Sequence, residues 1–100
     1  MIATTILKCI LLAKTHVLVL EQPINEYAMA TIEKTFNDVY FQGTVVEGKM
    51  NSVLIRYPKF GAESMSYSPS DYDLKALSIK LDVANEHAAL DCEIIDLPTK

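Results

Sequence analysis

Residues 68–89, SPSDYDLKALSIKLDVANEHAA, are the stretch on which the fold turns. Ser68, Pro69 and, at the third helical position, Asp71 are a helix start. They supply a side-chain cap, a ring whose fixed φ suits the first helical position, and a carboxylate at the positive end of the helix dipole. Leu74, Leu77, Leu81, Ala84 and Ala88 follow at spacings of three and four, which stacks them on one helical face. This predicts an amphipathic helix ending between Asn85 and Ala89, with Leu77 and Leu81 turned toward the core.

Downstream, Leu90, Cys92 and Ile94 alternate with Asp91, Glu93 and Ile95, the period of a strand, and Pro98 stops it. Upstream, 58–68 has no strong pattern and reads as a loop. Before it, Val39, Phe41 and Val45 alternate with Tyr40, Gln42 and Thr44, and Val53, Ile55 and Tyr57 with Ser52, Leu54 and Arg56. Strands over 38–47 and 51–57, joined at Glu47-Gly48-Lys49-Met50, make a hairpin. Gln22-Pro23 ends an earlier strand. Asn25 is then placed to cap a helix to Asn37, with Glu26 in its first turn and Tyr27, Ala30, Ile32 and Phe36 as an apolar face. Residues 3–13 and 17–20 are β-branched and aliphatic and read as two strands around a polar Lys14-Thr15-His16 loop. Ile6, Ile10 and Ala13 also fit a helical stripe.

The expected order is therefore ββαββαβ. It is an α+β fold of the ferredoxin-like kind plus one extra strand, an antiparallel sheet with two helices packed on one face. One hundred residues suit a single domain over 1–100, and an apolar share of 50% is enough to build a core. An open sheet face and surplus apolar surface in a short chain point to a homodimer through a sheet face or an edge strand.

Charge is unevenly distributed along the chain. Residues 1–60 hold five acids against six bases, whereas residues 61–100 hold eight acids against three bases. Overall the net charge is −4, with one arginine, Arg56, among the bases. An excess of negative charge repels nucleic acid and favours a basic protein partner. The longest uninterrupted apolar run near the N-terminus, Cys9 to Ala13, is too short for a signal peptide core or a membrane span, so no membrane partner is expected. Two cysteines, Cys9 and Cys92, both in apolar runs, read as isolated buried thiols and make a reducing cytoplasm the default.

Nothing in the sequence points to catalysis. There is no Gly-x-Ser-x-Gly elbow, no glycine-rich phosphate loop and no His-Glu-x-x-His, and the chain has three glycines in all. His16 and His87 lie far apart without metal-ligand spacing to any Cys or carboxylate, so neither a metal nor a cofactor is expected. The candidate partner-binding residues are Asp71, Asp73, Asp82, Glu86, Tyr67, Tyr72 and Met65. Met65, Tyr67 and Tyr72 beside Asp71 and Asp73 have the composition of an interface centre. Asp82 and Glu86 are like charges four apart on the expected helix, a mildly unfavourable pair that a basic partner would relieve. The expected function is a small acidic non-enzymatic protein that binds a macromolecular partner, in the manner of an inhibitor, immunity protein or mobile-element antagonist. The alternatives are a small-molecule-binding or regulatory α+β domain, and a dimeric ferredoxin-like enzyme with a cleft between the sheet and loop 58–68.

Overall fold

A computed structural model of the chain describes residues 4–24, 29–69 and 73–97. It contains eight strands. They are β1 (Thr4–Ala13), β2 (His16–Pro23), β3 (Met29–Phe36), β4 (Val39–Val46), β5 (Lys49–Tyr57), β6 (Ala62–Tyr67), β7 (Ala76–Val83) and β8 (Glu86–Leu97). A single 3-10 turn, Pro58–Phe60, interrupts them, and there is no α-helix among the described residues. The strands form two four-stranded antiparallel sheets, ordered β2-β1-β8-β7 and β3-β4-β5-β6, which we call sheets A and B. The ferredoxin-like α+β expectation, with two helices on one sheet face, is thereby corrected: the protein is a β-sandwich.

Residues 76–83 show why the helix reading failed. Leu77, Ile79, Leu81 and Val83 are half-buried and face sheet B, while Ala76, Ser78, Lys80 and Asp82 are exposed. Leu77 and Leu81 do point inward, but a spacing of four is shared by a helix of period 3.6 and a strand of period two. The deciding residues are Ile79 and Val83, β-branched side chains that a helix would have put on other faces. The same ambiguity misled the expected helix from Asn25 to Asn37. Ala30, Ile32 and Phe36 are separated by even numbers, and 29–36 is strand β3. Residues 25–28, including Asn25, Glu26 and Tyr27, lie outside the described residues, as do Ser70, Asp71 and Tyr72 of the expected helix start.

Tight turns complete the correction. Asn37-Asp38, Glu47-Gly48 and Ala84-Asn85 each have positive φ at both positions, the type I′ geometry whose twist matches paired strands. Ala84 at φ 50° sits where an alanine is sterically disfavoured, so the turn is imposed by the pairing of β7 with β8 and not by local preference.

The path is a simple meander. Each strand pairs with the next, except where the chain crosses between sheets after β2 and after β6, and β8 returns to pair with β1. The sandwich is thus an eight-stranded cycle opened at two seams, β2/β3 and β6/β7. Beside the second seam, the connection before β7 is tied to the start of β5: Met50 N donates to Leu74 O at 2.8 Å, and Lys75 Nζ to Gly48 O at 2.8 Å. Strands β6 and β7 approach closely, whereas β2 and β3 only graze.

Both inner faces are apolar. Leu7, Cys9, Leu11, Ala88, Leu90 and Cys92 of sheet A meet Val39, Phe41, Val45, Val53, Ile55 and Tyr57 of sheet B, all essentially inaccessible. Each large side chain so buried contributes about 1.5–3 kcal/mol. At the centre, Cys9 and Cys92, opposite one another on β1 and β8, form a disulfide. That corrects the reading of both as free thiols. It links positions 83 residues apart and closes nearly the whole chain into a loop. Facing it on β4 is Gly43, where an added Cβ would lie 2.7 Å from Cys92 Sγ and 3.1 Å from Cys9 Sγ. A glycine is unusual inside a strand; here it makes room for the sulfurs of the opposite sheet.

Candidate functional site

Strand pairing sets which side chains cover the outside of sheet A. Across β2, β1, β8 and β7 the outward rows are Glu21, Lys8, Glu93, Ala76; then Val19, Ile10, Asp91, Ser78; then Val17, Leu12, Ala89, Lys80. The strands of this sheet carry six acids (Glu21, Asp82, Glu86, Asp91, Glu93, Asp96) against two lysines, whereas those of sheet B carry two acids against three bases. Five of the six acids are exposed. By register four of the six, Glu21, Asp82, Asp91 and Glu93, lie on the outer face with Lys8 and Lys80, whereas Glu86 and Asp96 fall on the inward-facing set. The outer face of sheet A therefore keeps a moderate excess of acids.

The same face has an apolar border. Val17 is 61% and Val19 48% exposed, beside half-buried Ile10 and Leu12. Water-exposed valines on an outer strand are costly neighbours for a solvated acidic surface, and apolar area rimmed by charge is the usual make-up of a protein contact. A shallow concavity of about 240 Å³ lies between Lys8, Ile10, Ala76, Ser78, Asp91 and Glu93. That is below the ~300–1,000 Å³ of a ligand cleft, and suits a single side chain of a docked protein.

The expected binding residues are dispersed. Met65 (43% exposed) and Tyr67 (66%) share the outer face of β6, on sheet B. Asp73, in the connection leading to β7, is exposed and pairs with Lys75 at 3.4 Å. Asp82 projects from the other end of β7 on the outside of sheet A, 2.8 Å from Nδ1 of His87, its cross-strand partner. Asp71 and Tyr72 lie outside the described residues. Asp82 and Glu86 do not share a helical face: they point to opposite sides of a hairpin. The sequence reading passed over Glu21, Val17 and Val19 for this surface, and counted Asp91 and Glu93 only among the acids. Their outward alternation with Leu18 and Leu20, and with Leu90 and Cys92, was the available signal.

Glu86 has an internal task. The Tyr57 hydroxyl, reaching from β5, donates to its carboxylate at 2.5 Å, and Lys14 Nζ stands 3.6 Å away. That hydrogen bond, with help from Lys14, holds the Glu86 carboxyl below its ordinary pKa. The same bond, reinforced by desolvation, raises Tyr57. The Lys14 ammonium is raised by Tyr57 and then by Glu86. A tyrosine held in its protonated form is poorly suited to act as a base or nucleophile, so the cluster works as a polar clasp joining the ends of the two sheets. Among the described residues no group of three or more His, Cys, Asp and Glu side chains is arranged to hold a metal. The loop 58–68 that would have bounded an enzyme's cleft is instead a 3-10 turn and strand β6. No helix of the described residues is long and apolar enough to cross a membrane.

No family model, curated protein or solved structure matches this chain.

Proposed function

We propose that the protein is a non-enzymatic binding domain that presents the outer face of sheet A to a basic protein partner. The observation that supports this is the concentration of exposed carboxylates on one sheet, bordered by Val17 and Val19, while the other sheet's face is balanced in charge. The acids attract a basic surface from a distance, and the valines offer the contact that lengthens its residence. The filled interior supports the same reading. Phe41, Tyr57, Leu7, Leu11 and the disulfide occupy the space in which an up-and-down barrel would keep a ligand. An inhibitor or immunity protein has this design, a stable scaffold whose function lies in one charged face. The buried disulfide favours an oxidising compartment over the cytoplasm expected from composition.

The test compares the faces. A partner recovered by affinity capture is measured on a biosensor against wild type, against Asp91→Asn with Glu93→Gln, and against Glu33→Gln with Glu63→Gln on sheet B. The first pair should slow association several-fold at low ionic strength, with the gap closing as salt is added, while the second pair leaves the rate nearly unchanged. Equal effects from both pairs would remove sheet A from the binding surface.

A further inference from the structure

Four strands lie at sheet edges: β2 and β7 in sheet A, β3 and β6 in sheet B. An exposed edge offers unpaired N–H and C=O groups to any other strand, and proteins guard such edges with charge, bulges or brevity. Three of the four are guarded. Strand β3 carries Glu33 and an inward-directed yet exposed Lys34, β7 carries Lys80 and Asp82, and β6 is six residues long with Glu63 exposed. Strand β2 carries its guards, Glu21 and Pro23, only at its far end; Val17 to Leu20 has no charge, and its two valines are exposed.

The backbone of β2 is directed to suit a partner. Ile24 N donates to Thr5 O at 2.9 Å, continuing the β1–β2 ladder. Counting back in twos, Gln22, Leu20 and Leu18 bond to β1, so Glu21, Val19 and Val17 direct their N–H and C=O away from it. Pro23 falls on the outward set, the one place where a strand tolerates proline's missing donor. Among the described residues no strand pairs with β2 on that side.

We propose that β2 is a self-pairing edge, and that two copies of the chain join antiparallel through it about a two-fold axis. Of the registers that keep outer faces together, the one centred on Leu18 sets Val17 opposite the partner's Val19, and the reverse. Centring on Val19 would instead set Val17 against a carboxylate, the partner's Glu21. Charge allows the same occupant. The register centred on Leu18 sets Glu21 opposite the partner's Thr15 and far from the partner's own Glu21, so no two carboxylates are brought together. The product is a continuous sheet built from both copies of sheet A, with a shared valine strip at its centre. This inference rests on the strand edge and is independent of what docks on the acidic face.

Sedimentation equilibrium at micromolar concentration should give twice the chain mass. Val19→Pro removes one outward donor from each copy without touching the β1 ladder, and should raise the dissociation constant by about tenfold or more. Circular dichroism checks that the fold persists, and Val17→Lys with Val19→Lys provides the same test should the proline variant unfold. Ser78→Lys, on the opposite edge strand, should leave the dimer intact. Hydrogen exchange in wild type should show protection at Val17, Val19 and Glu21 that grows with protein concentration. A monomeric wild type overturns the proposal. So does a dimer that survives the β2 variants, or one whose concentration-dependent protection lies elsewhere.

Discussion

Sheets A and B share one core yet are held and coated differently. Sheet A contains both ends of the described chain, β1 and β8, side by side at its centre, and a disulfide bolts them together. Sheet B is a continuous meander from β3 to β6 whose strands are joined by short local turns and need no covalent tie. Outside, sheet A is acidic with a valine border. Sheet B has a balanced polar surface in which Tyr40 donates to Glu33 at 2.7 Å, Arg56 pairs with Glu63 at 3.1 Å and the Arg56 guanidinium lies 5.8 Å from the Tyr40 ring centre. Glu33 and Glu63 are thus engaged on their own surface, while on sheet A Asp91 lies between Ile10 and Ser78, and Glu93 between Lys8 and Ala76. The covalent tie thus falls where the sheet joins segments from distant parts of the chain, and is absent from the sheet built as a local meander.

Removing the staple should have the largest effect. Cys9→Ala with Cys92→Ala frees a loop spanning 83 residues of separation, and should cost about 2–5 kcal/mol in urea melts. A loss below about 1 kcal/mol would mean that pairing alone holds β1 to β8, and the contrast between sheets would shrink. Next comes the contact that couples them. Gly43→Ala should cost about 1–3 kcal/mol through overpacking against the sulfurs. The same substitution made on the double-alanine background should cost much less, so a double-mutant cycle reads the coupling directly.

A smaller gain should follow from relieving the β7–β8 turn. Ala84→Gly removes a left-handed alanine, φ 50°, and should stabilise by about 1 kcal/mol, partly offset by the greater freedom of glycine when unfolded. The last effect is a dependence on pH. Glu86 has a folded pKa depressed by the Tyr57 hydrogen bond, so its contribution is fully present above its ordinary value of 4.5 and fades as pH falls through the folded value. Glu86→Gln should lack this acid-side loss. The stability gap between wild type and variant should therefore be constant near neutrality and narrow in acid. A gap that ignores pH would detach the clasp from the Glu86 carboxylate.

Legibility varied by region for physical reasons. The β4–β5 hairpin could be read because β4 alternates strictly, β5 is rich in β-branched and apolar residues, and Glu47-Gly48 marks the turn between them. Strand β1 was legible from its β-branched residues, with a helix as its competitor. Strands β3 and β7 were misread because their apolar residues are spaced by twos and fours, and a spacing of four suits both periods. The candidate face was half legible: the excess of acids was plain, but its members come from β2, β7 and β8, far apart in the chain. Asp82 and Glu86 looked like a pair, and the hairpin turned them to opposite sides.

By itself the sequence determined the apolar content needed for a core, the acidic balance, the strand character of residues that alternate without ambiguity, and the lack of any known catalytic signature. Local periodicity and composition carry that information without reference to distant residues. Tertiary structure alone decided that 76–83 is a strand, because β8 offers it a ladder and sheet B a surface for Ile79 and Val83. It decided likewise that Cys9 and Cys92 meet and that Gly43 must stay small beneath them. Each of these depends on partners from distant parts of the chain, and only the packed sandwich brings such partners within bonding distance.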